Sequence, residues 1–228
     1  MTKSVRKAKP AGASRTRRAK GEQTRRKILE AVFQVLAREG IRGVTHRSVA
    51  AEAEVQLSLT TYYFKDIEAM IKEAFEQFSE HMRPGMDGLW SDVFTRVDEV
   101  SAAELRKVAV REALAEDLAR LASDYILEQV RDKPVGLIVE QIFLTEARLS
   151  PELRRAGEVH RQALLEPLAK LCARFNRQDP DIDAELLLDT ITSMEYQALG
   201  VPMDQVDADR VHRLLRRHVG WILGLRGF

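Results

Sequence analysis

Residues 45–65 read THRSVAAEAEVQLSLTTYYFK, and this stretch decides the fold of the chain. Thr45 is suited to cap a helix, and apolar residues at helical spacing follow it at Val49, Ala50, Ala53 and Val55. After a tight turn, LSLTTYYF can form a second short helix. This order is typical of a helix-turn-helix, although any short pair of antiparallel helices can show the same pattern.

The second helix has the side chains that a major groove requires. No Asp or Glu occurs between Gln56 and Phe64, so nothing there repels phosphate. Side chains of this kind read base edges, or touch the thymine methyl if apolar. The predicted base contacts come from Gln56, Ser58, Thr60 and Thr61 and from one of Leu57 and Leu59, which cannot both face DNA. The predicted phosphate contacts come from Arg25, Thr45, Arg47 and Lys65 and from one of Tyr62 and Tyr63.

A longer segment, RRKILEAVFQVLAREGIRGVTHRSVAAEAEVQLSLTTYYFKDIEAMIKEAF, resembles the N-terminal domain of TetR-family transcriptional regulators. The resemblance rests on the apolar run from Ile28, on Gly40, on the TYYF of residues 61–64 and on the KDxEAM that opens the next helix. Beyond these fifty or so residues it rests only on length and helical content.

Two positions depart from the family pattern. The turn residue that is usually Gly is Glu54 here, and Glu adopts left-handed backbone only at some cost. The turn is therefore expected to be tightened in another way. The family often has Tyr at the position of Thr61, and Tyr62 is expected to take over its phosphate contact.

The resemblance implies a homodimer that binds a palindromic operator and has a small-molecule pocket in its body. The candidate pocket walls are Trp90, Phe94, Tyr125, Phe143 and Glu146. As core residues the aromatics are equally ordinary, and Glu140, Gln141 and Glu146 could either orient a ligand or reach solvent. The dimer is expected to use helices at 151–176 and 183–200, with Leu164, Leu168, Leu187, Ile191 and Met194 in the interface.

Composition bounds the class of protein. The 228 residues are 45% hydrophobic, which is enough for one or two domains. No run of eighteen apolar residues and no secretory signal occurs, so we expect a cytoplasmic protein without a membrane span. The single cysteine, Cys172, lies in an apolar setting that favours a buried structural thiol over a reactive one.

The charge is unevenly distributed. Residues 1–27 hold eleven Lys or Arg and one acid, for a net charge of +10, and the remainder of the chain carries −9. A polyanion is the expected partner of the basic end. Residues 1–20 are predicted to be a disordered arm whose arginines, Arg15, Arg17 or Arg18, reach a minor groove. An anionic membrane is the alternative, but the arm lacks an amphipathic face.

Every element from residue 24 onward reads as helix. The pattern predicts helices at 24–39 and 67–81, and RPGMDG at 83–88 predicts a domain boundary there or a few residues earlier. A short helical piece at 89–97 is then expected. Ser101 and Glu104 read as a capping box that opens a long helix, Ser150 precedes another, and Pro167 is expected to kink or break that one. The last helix is predicted at 208–225.

The sequence contains little that indicates catalysis. It has no G-x-S-x-G, phosphate-cradling Gly loop, H-E-x-x-H or C-x-x-C, so we expect neither an enzyme nor a cofactor nor a metal. The resulting hypothesis is an all-α, two-domain TetR-type regulator, most simply a repressor. Its domains are the arm at 1–20, the DNA-binding head at 21–82 and the effector and dimerisation body at 83–228. The alternatives are an architectural DNA-binding protein without an effector and an enzyme tethered to DNA by the same head.

Overall fold

The computed structural model describes residues 11–146 and 149–225, with side chains from residue 19 onward. These residues form an all-helical fold, as predicted, without a strand in the described ranges. Its helices are α1 (Ala11–Glu39), α2 (His46–Glu52), α3 (Leu57–Tyr63), α4 (Ile67–Asp98), α5 (Val108–Asp132), α6 (Pro134–Thr145), α7 (Pro151–Cys172), α8 (Pro180–Ala198) and α9 (Ala208–Ile222).

The first helix begins earlier than the sequence indicated. α1 starts at Ala11 instead of near residue 24, so residues 11–20 of the predicted disordered arm are helical. Residues 1–10 and the side chains of Arg15, Arg17 and Arg18 lie outside the described residues. The end of α1 agrees with the prediction, because Gly40 follows it with φ of 69°. Arg25 therefore lies inside α1 and not at its N-terminus.

The helix-turn-helix forms where it was predicted. Thr45 and Ser48 make a reciprocal capping box at the start of α2, with N···O distances of 3.0 and 2.9 Å. At the other end of α2, Val55 N–H donates to the Ala50 carbonyl and Glu54 N–H to the Ala51 carbonyl, which is the Schellman arrangement. Glu54 itself has φ of 53°. The turn is therefore closed in the ordinary way, with Glu in left-handed backbone, and the expected alternative tightening is wrong.

Replacing Glu54 by Gly should stabilise the protein. Glycine adopts left-handed backbone without the penalty of a Cβ atom, so Glu54→Gly should raise the free energy of unfolding by about 1 kcal/mol, less the extra chain entropy of glycine. Denaturant unfolding followed by circular dichroism would measure this. Glu54→Ala removes the charge and keeps the Cβ atom, so it should give little gain. An equal gain from both variants would show that charge, not backbone conformation, limits the turn.

The chain divides into two compact units, Met1–Ala74 and Phe75–Phe228. The division falls within α4, after Ala74, and so precedes the 83–88 segment that the sequence marked as a boundary. α4 runs through Pro84, so the predicted helix at 67–81 and the short piece at 89–97 are parts of one helix. The reason is packing, since Met82, Met86 and Trp90 of α4 all line a cavity in the second unit, and packing overrides the weak helix propensity of RPGMDG.

Each unit has its own apolar core. The core of the first unit includes Ile28, Val32, Leu36, Val49, Phe64 and Met70, all almost fully buried. The core of the second unit is larger and is drawn from all of its helices, α4 to α9. Its Cys172 is buried as predicted, and burial, with the nearby Asp183 carboxylate, raises the pKa of the thiol to about 12.

Four local predictions in the second unit have clear outcomes. The Ser101–Glu104 capping box forms, but it caps the short 3-10 helix Glu104–Arg106, and α5 begins after it at Val108. Ser150 caps α7 by accepting from Leu153 N–H at 3.3 Å. α7 continues through Pro167 to Cys172 without breaking in two. The last helix ends at Ile222.

Candidate DNA-binding surface and ligand cavity

The start of α3 presents an exposed surface without acids. Gln56, Leu57, Ser58, Thr61 and Tyr62 are all exposed, while Leu59 is half-buried, so Leu57 is the apolar residue that can reach a ligand. Thr45, Arg47 and Lys65 are exposed nearby along the chain. The short helix and its flanks thus carry uncharged polar and basic side chains. Side chains of these two kinds bind DNA base edges and phosphates.

Thr60 is not part of this surface, which corrects its predicted base contact. Its side chain is fully buried, with 0% of its area exposed. Its hydroxyl donates to the Leu57 carbonyl at 2.8 Å and lies 3.2 Å from His46 Nδ1. The pair joins α2 to α3, so Thr60 fixes the angle between the two helices and cannot touch DNA. Sequence reasoning did not assign His46 this role, and its spacing of fourteen residues from Thr60 gives no periodic signal.

The two tyrosines of α3 divide as the sequence suggested, with one packing and one pointing outward. Tyr62 is 78% exposed. Tyr63 is half-buried, and its ring meets that of Tyr62 edge to face at 5.0 Å. A Cβ atom at Gly21 of α1 would lie 3.2 Å from the Tyr63 hydroxyl, so Tyr63 packs closely on α1. Tyr62 is thus the tyrosine available to a phosphate.

Arg25 is engaged within the first unit. Its guanidinium pairs with the carboxylate of Glu73 at the start of α4 and lies 5.2 Å from the centroid of the Phe64 ring. Arg25 therefore joins α1 to α4. Its predicted contact with phosphate would require this ion pair to open, so we do not carry Arg25 forward as a DNA ligand.

A cavity lies within the second unit among α4, α5, α6, α7, α8 and α9. The cavity has a volume of about 110 Å³ and is partly open to solvent. The walls are mainly Leu, Ile, Val and Met, with a few polar groups. This is the form of a small-molecule site.

Four polar side chains meet at one side of the cavity. Glu140 of α6 is buried, with His160 Nε2 2.9 Å from one carboxylate oxygen and the Tyr196 hydroxyl donating to the other at 3.1 Å. Glu195 of α8 is also buried and lines the cavity. Burial, and then the neighbouring Glu140, raises the pKa of Glu195 well above its usual range. Burial likewise raises the pKa of Tyr196.

The predicted pocket walls are partly correct. Trp90 and Tyr125 line the cavity. Phe94 does not line it and packs beside Trp90 with 5.9 Å between ring centroids. Phe143 is buried against Phe75, with stacked rings 3.6 Å apart. Glu146 is exposed at the end of α6, so it too is wrong as a pocket residue. The acids that the cavity uses are Glu140, which the sequence analysis left open, and Glu195, which it missed.

The predicted dimer residues are also corrected. Leu168, Leu187 and Met194 are buried in the core of their own unit, which removes them from a surface. Leu164 and Ile191 are partly buried and line the cavity together with Leu168 and Leu187. An apolar stripe shows that a helix has a buried face, but it does not show which partner buries that face.

Other apolar side chains of α8 and α9 are exposed, among them three that lie close together. Leu186 on α8 and Leu214 and Trp221 on α9 are 54%, 39% and 56% exposed. Thr190, one turn after Leu186, hydrogen-bonds to His218 at 3.1 Å, and His218 lies between Leu214 and Trp221 on α9. The three apolar residues therefore belong to one surface, which we call the α8–α9 face.

The described residues hold no group of three or more His, Cys, Asp or Glu arranged to bind a metal. Within the same ranges, no helix is both long and apolar enough to cross a membrane.

Comparison with known protein sequences finds one distant relative. No family model matches the chain. The HTH-type transcriptional regulator PksA of Bacillus subtilis (strain 168) is 20% identical over 205 residues, which cover 87% of this chain and 89% of PksA.

Two solved structures are similar over most of their length. A putative TetR-family regulator from Mesorhizobium loti has a TM-score of 0.64 at 17% identity, covering 90% of this chain and 96% of that one. The multidrug binding protein EbrR in complex with ethidium has a TM-score of 0.52 at 25% identity, covering 86% and 98%. These likenesses confirm the resemblance seen in the head sequence, and the chain has the fold of the TetR-family transcriptional regulators.

Proposed function

We propose that the protein is a TetR-type transcriptional repressor that binds a palindromic operator as a homodimer and is released by a small molecule. The acid-free exposed surface of α3, in a chain that also has an apolar cavity in its second unit, carries the proposal. The named relatives are regulators, which supports a regulator over an enzyme. The cavity favours an effector-controlled regulator over an architectural protein, which would need no such space.

On DNA, the roles follow from side-chain type. Gln56 and Ser58 at the start of α3 hydrogen-bond to base edges, and Leu57 touches a thymine methyl. Thr45, Arg47, Tyr62 and Lys65 contact phosphates and hold the helix in register. Thr61 is a further candidate for a base contact. Its hydroxyl donates to the Ser58 carbonyl at 3.1 Å.

Two variants distinguish a residue that contacts bases from one that contacts phosphate. Gln56→Ala should lower affinity for the operator about tenfold and leave affinity for a scrambled duplex unchanged, because a base contact is lost. Lys65→Ala should weaken both duplexes alike and reduce the slope of log affinity against log salt by about one, because one phosphate contact is lost. Fluorescence anisotropy with labelled duplexes at several salt concentrations would measure both.

Lys170→Ala is the control for charge, since Lys170 lies in the second unit and pairs with Glu166 on α7. Lys170→Ala should change neither the affinity for either duplex nor the slope of log affinity against log salt. If Gln56→Ala and Lys65→Ala had the same effect on both duplexes, the assignment of α3 as the reading helix would be wrong.

Dimerisation is assigned to the α8–α9 face. One head contacts too few base pairs for useful specificity, and two heads on a two-fold axis read half-sites about 34 Å apart or a multiple of that. The α8–α9 face offers three exposed apolar side chains that a second copy would cover. Solvent exposure of such a group is otherwise unfavourable.

Effector control is assigned to α4. This helix begins just after α3, and its second half supplies Met82, Met86 and Trp90 to the cavity wall. A ligand that displaces these side chains would move α4 and so change the half-site spacing. EbrR, which shares the fold, is a multidrug binding protein whose structure contains ethidium.

Footprinting on the promoter region of the protein's own gene, against a scrambled duplex at physiological salt, tests the proposal. A two-fold symmetric footprint, with a preference of about a thousandfold, is expected for a dimeric regulator. Equal and salt-sensitive binding to both duplexes would instead favour the architectural alternative.

A further inference from the structure

Glu195 is a buried acid for which the described residues provide no partner. Only 5% of its surface is exposed, and it lines the cavity. No hydrogen bond or ion pair joins it to another described residue, and the charge that acts on it is that of Glu140, which has the same sign. Burying an isolated carboxylate costs several kcal/mol of folding free energy. An acid at the cavity wall therefore has a role other than stabilising the fold.

The other polar groups at the cavity wall identify what is missing. The Gln129 amide oxygen is buried without a hydrogen-bond partner, and so is the Trp90 indole N–H. Glu140 is already held by His160 and Tyr196. Among the described lining residues none is Lys or Arg. Apart from His160, which is paired with Glu140, the described lining therefore has no basic side chain, and it offers unpaired acceptors at Glu195 and Gln129 and an unpaired donor at Trp90.

Three classes of ligand can be compared on these contacts. A carboxylate or phosphate would lie beside two acidic side chains, Glu195 and Glu140, in a lining without Lys or Arg. A neutral apolar molecule would pack against the apolar walls but would leave Glu195 and Gln129 without a hydrogen-bond partner. A hydrophobic cation would satisfy both requirements, because its apolar body packs on Leu and Met while its charge pairs with an acid, and the Trp90 and Tyr125 rings can stack against it.

We propose that the cavity binds a hydrophobic organic cation, such as a protonated aryl or alkyl amine, with Glu195 as its counter-ion and Gln129 as a hydrogen-bond acceptor. Glu140 is a second acidic side chain nearby, held in place by His160 and Tyr196. This inference rests on the proposed function, in which the cavity is the effector site, and it defines the chemical class of the effector.

The charge state of Glu195 gives the proposal a second signature. Burial of Glu195 in the empty cavity raises its pKa and so favours the protonated acid, whereas a bound cation favours the carboxylate. The titratable groups that act on it are Tyr125 from α5, Glu140 from α6 and Tyr196 from α8 itself. His160 from α7 also lines the cavity, whereas α4 and α9 bring only uncharged side chains to the lining. Binding should therefore release a proton, and affinity should increase as the pH rises.

Three naphthalene derivatives of similar shape test the ligand class with the full-length protein. They are 1-naphthylmethylamine, which is a cation at neutral pH, the neutral 1-naphthylmethanol and the anionic 1-naphthylacetate. Isothermal titration calorimetry should show the amine binding at least about tenfold more tightly than the alcohol, and the acetate most weakly. Repeating the titration in phosphate and Tris buffers, whose heats of ionisation differ, counts the proton released.

Glu195→Gln keeps the shape of the side chain and removes its charge. It should abolish both the preference for the amine and the proton release, while binding the alcohol as before. Glu185→Gln on the exposed side of the same helix is the matched control, and it should behave like the unaltered protein. Circular dichroism of both variants would check that they fold.

The outcomes separate this inference from the function on which it rests. Equal binding of amine and alcohol, tightest binding of the acetate, no binding of any probe, or an amine preference that survives Glu195→Gln would each overturn it. Operator binding by the same preparations is measured alongside. If the protein binds its operator but shows no preference for the amine, the cation site is wrong and the regulator stands. If the amine binds but does not release DNA, the cation site stands and its role as effector site is wrong.

Discussion

A Leu186→Glu variant is expected to be monomeric in solution and to bind its operator at least about a hundredfold more weakly than the unaltered protein. In a two-fold interface each residue occurs twice, so one substitution introduces two buried acids into the α8–α9 face. Leu186 is exposed in the protomer, so the substitution leaves the core intact. Light scattering after gel filtration would give the mass, and anisotropy with a labelled operator would give the affinity.

The control for this experiment also tests the interface that the sequence predicted. Val159 is exposed on α7, with 67% of its surface accessible, and α7 was the first helix of the predicted pair. Val159→Glu should leave the dimer intact if α8 and α9 form the interface. If Val159→Glu dissociates the dimer and Leu186→Glu does not, the dimer uses α7, and the α8–α9 face needs another explanation.

The second large effect is expected at Gly157, in the middle of α7. A Cβ atom there would lie 2.7 Å from the Phe143 carbonyl oxygen of α6, closer than side chains pack. Because that oxygen belongs to the backbone, the two helices would have to separate. Gly157→Ala should therefore lower the free energy of unfolding by about 3 kcal/mol, as overpacking in a tight core does. Thermal unfolding followed by circular dichroism would measure the loss.

The chain contains a matched control for Gly157. Gly85 lies inside α4, and a Cβ atom added there would meet nothing within 4 Å. Gly85→Ala should raise stability by up to about 1 kcal/mol, since alanine is the better helix former. A gain from Gly157→Ala as well would mean that α6 and α7 are not in contact at this point.

The sequence predicted those parts of the fold whose causes are local. Thr45 caps α2 and Ser150 caps α7 because each side chain bonds to a backbone N–H three residues away. Gly40 ends α1 for an equally local reason, its positive φ. In α3 the absence of acids is a property of the sequence itself, and it identified the surface that we assign to DNA.

The sequence did not predict the features that depend on contacts between residues far apart in the chain. Pro84 and Gly85 suggested a break, but α4 continues because its flanking residues pack on other helices of the second unit. Thr60 has the chemistry of a base-reading residue, yet its hydroxyl is used by His46, which no spacing rule connects to it. Leu168 and Leu187 lie on genuine apolar stripes, but the stripes face the protomer's own interior. Likewise, only the folded chain brings Glu195 near Glu140.

The positions of the two tryptophans have a practical consequence. Trp90 contributes to the cavity wall, and Trp221 lies exposed on the α8–α9 face. The chain contains no other tryptophan. Its intrinsic fluorescence is therefore the sum of two signals, one sensitive to whatever enters the cavity and one sensitive to whatever covers the face. Replacing Trp221 by Phe would leave a single emitter in the cavity wall, with which ligand entry can be followed without any attached dye.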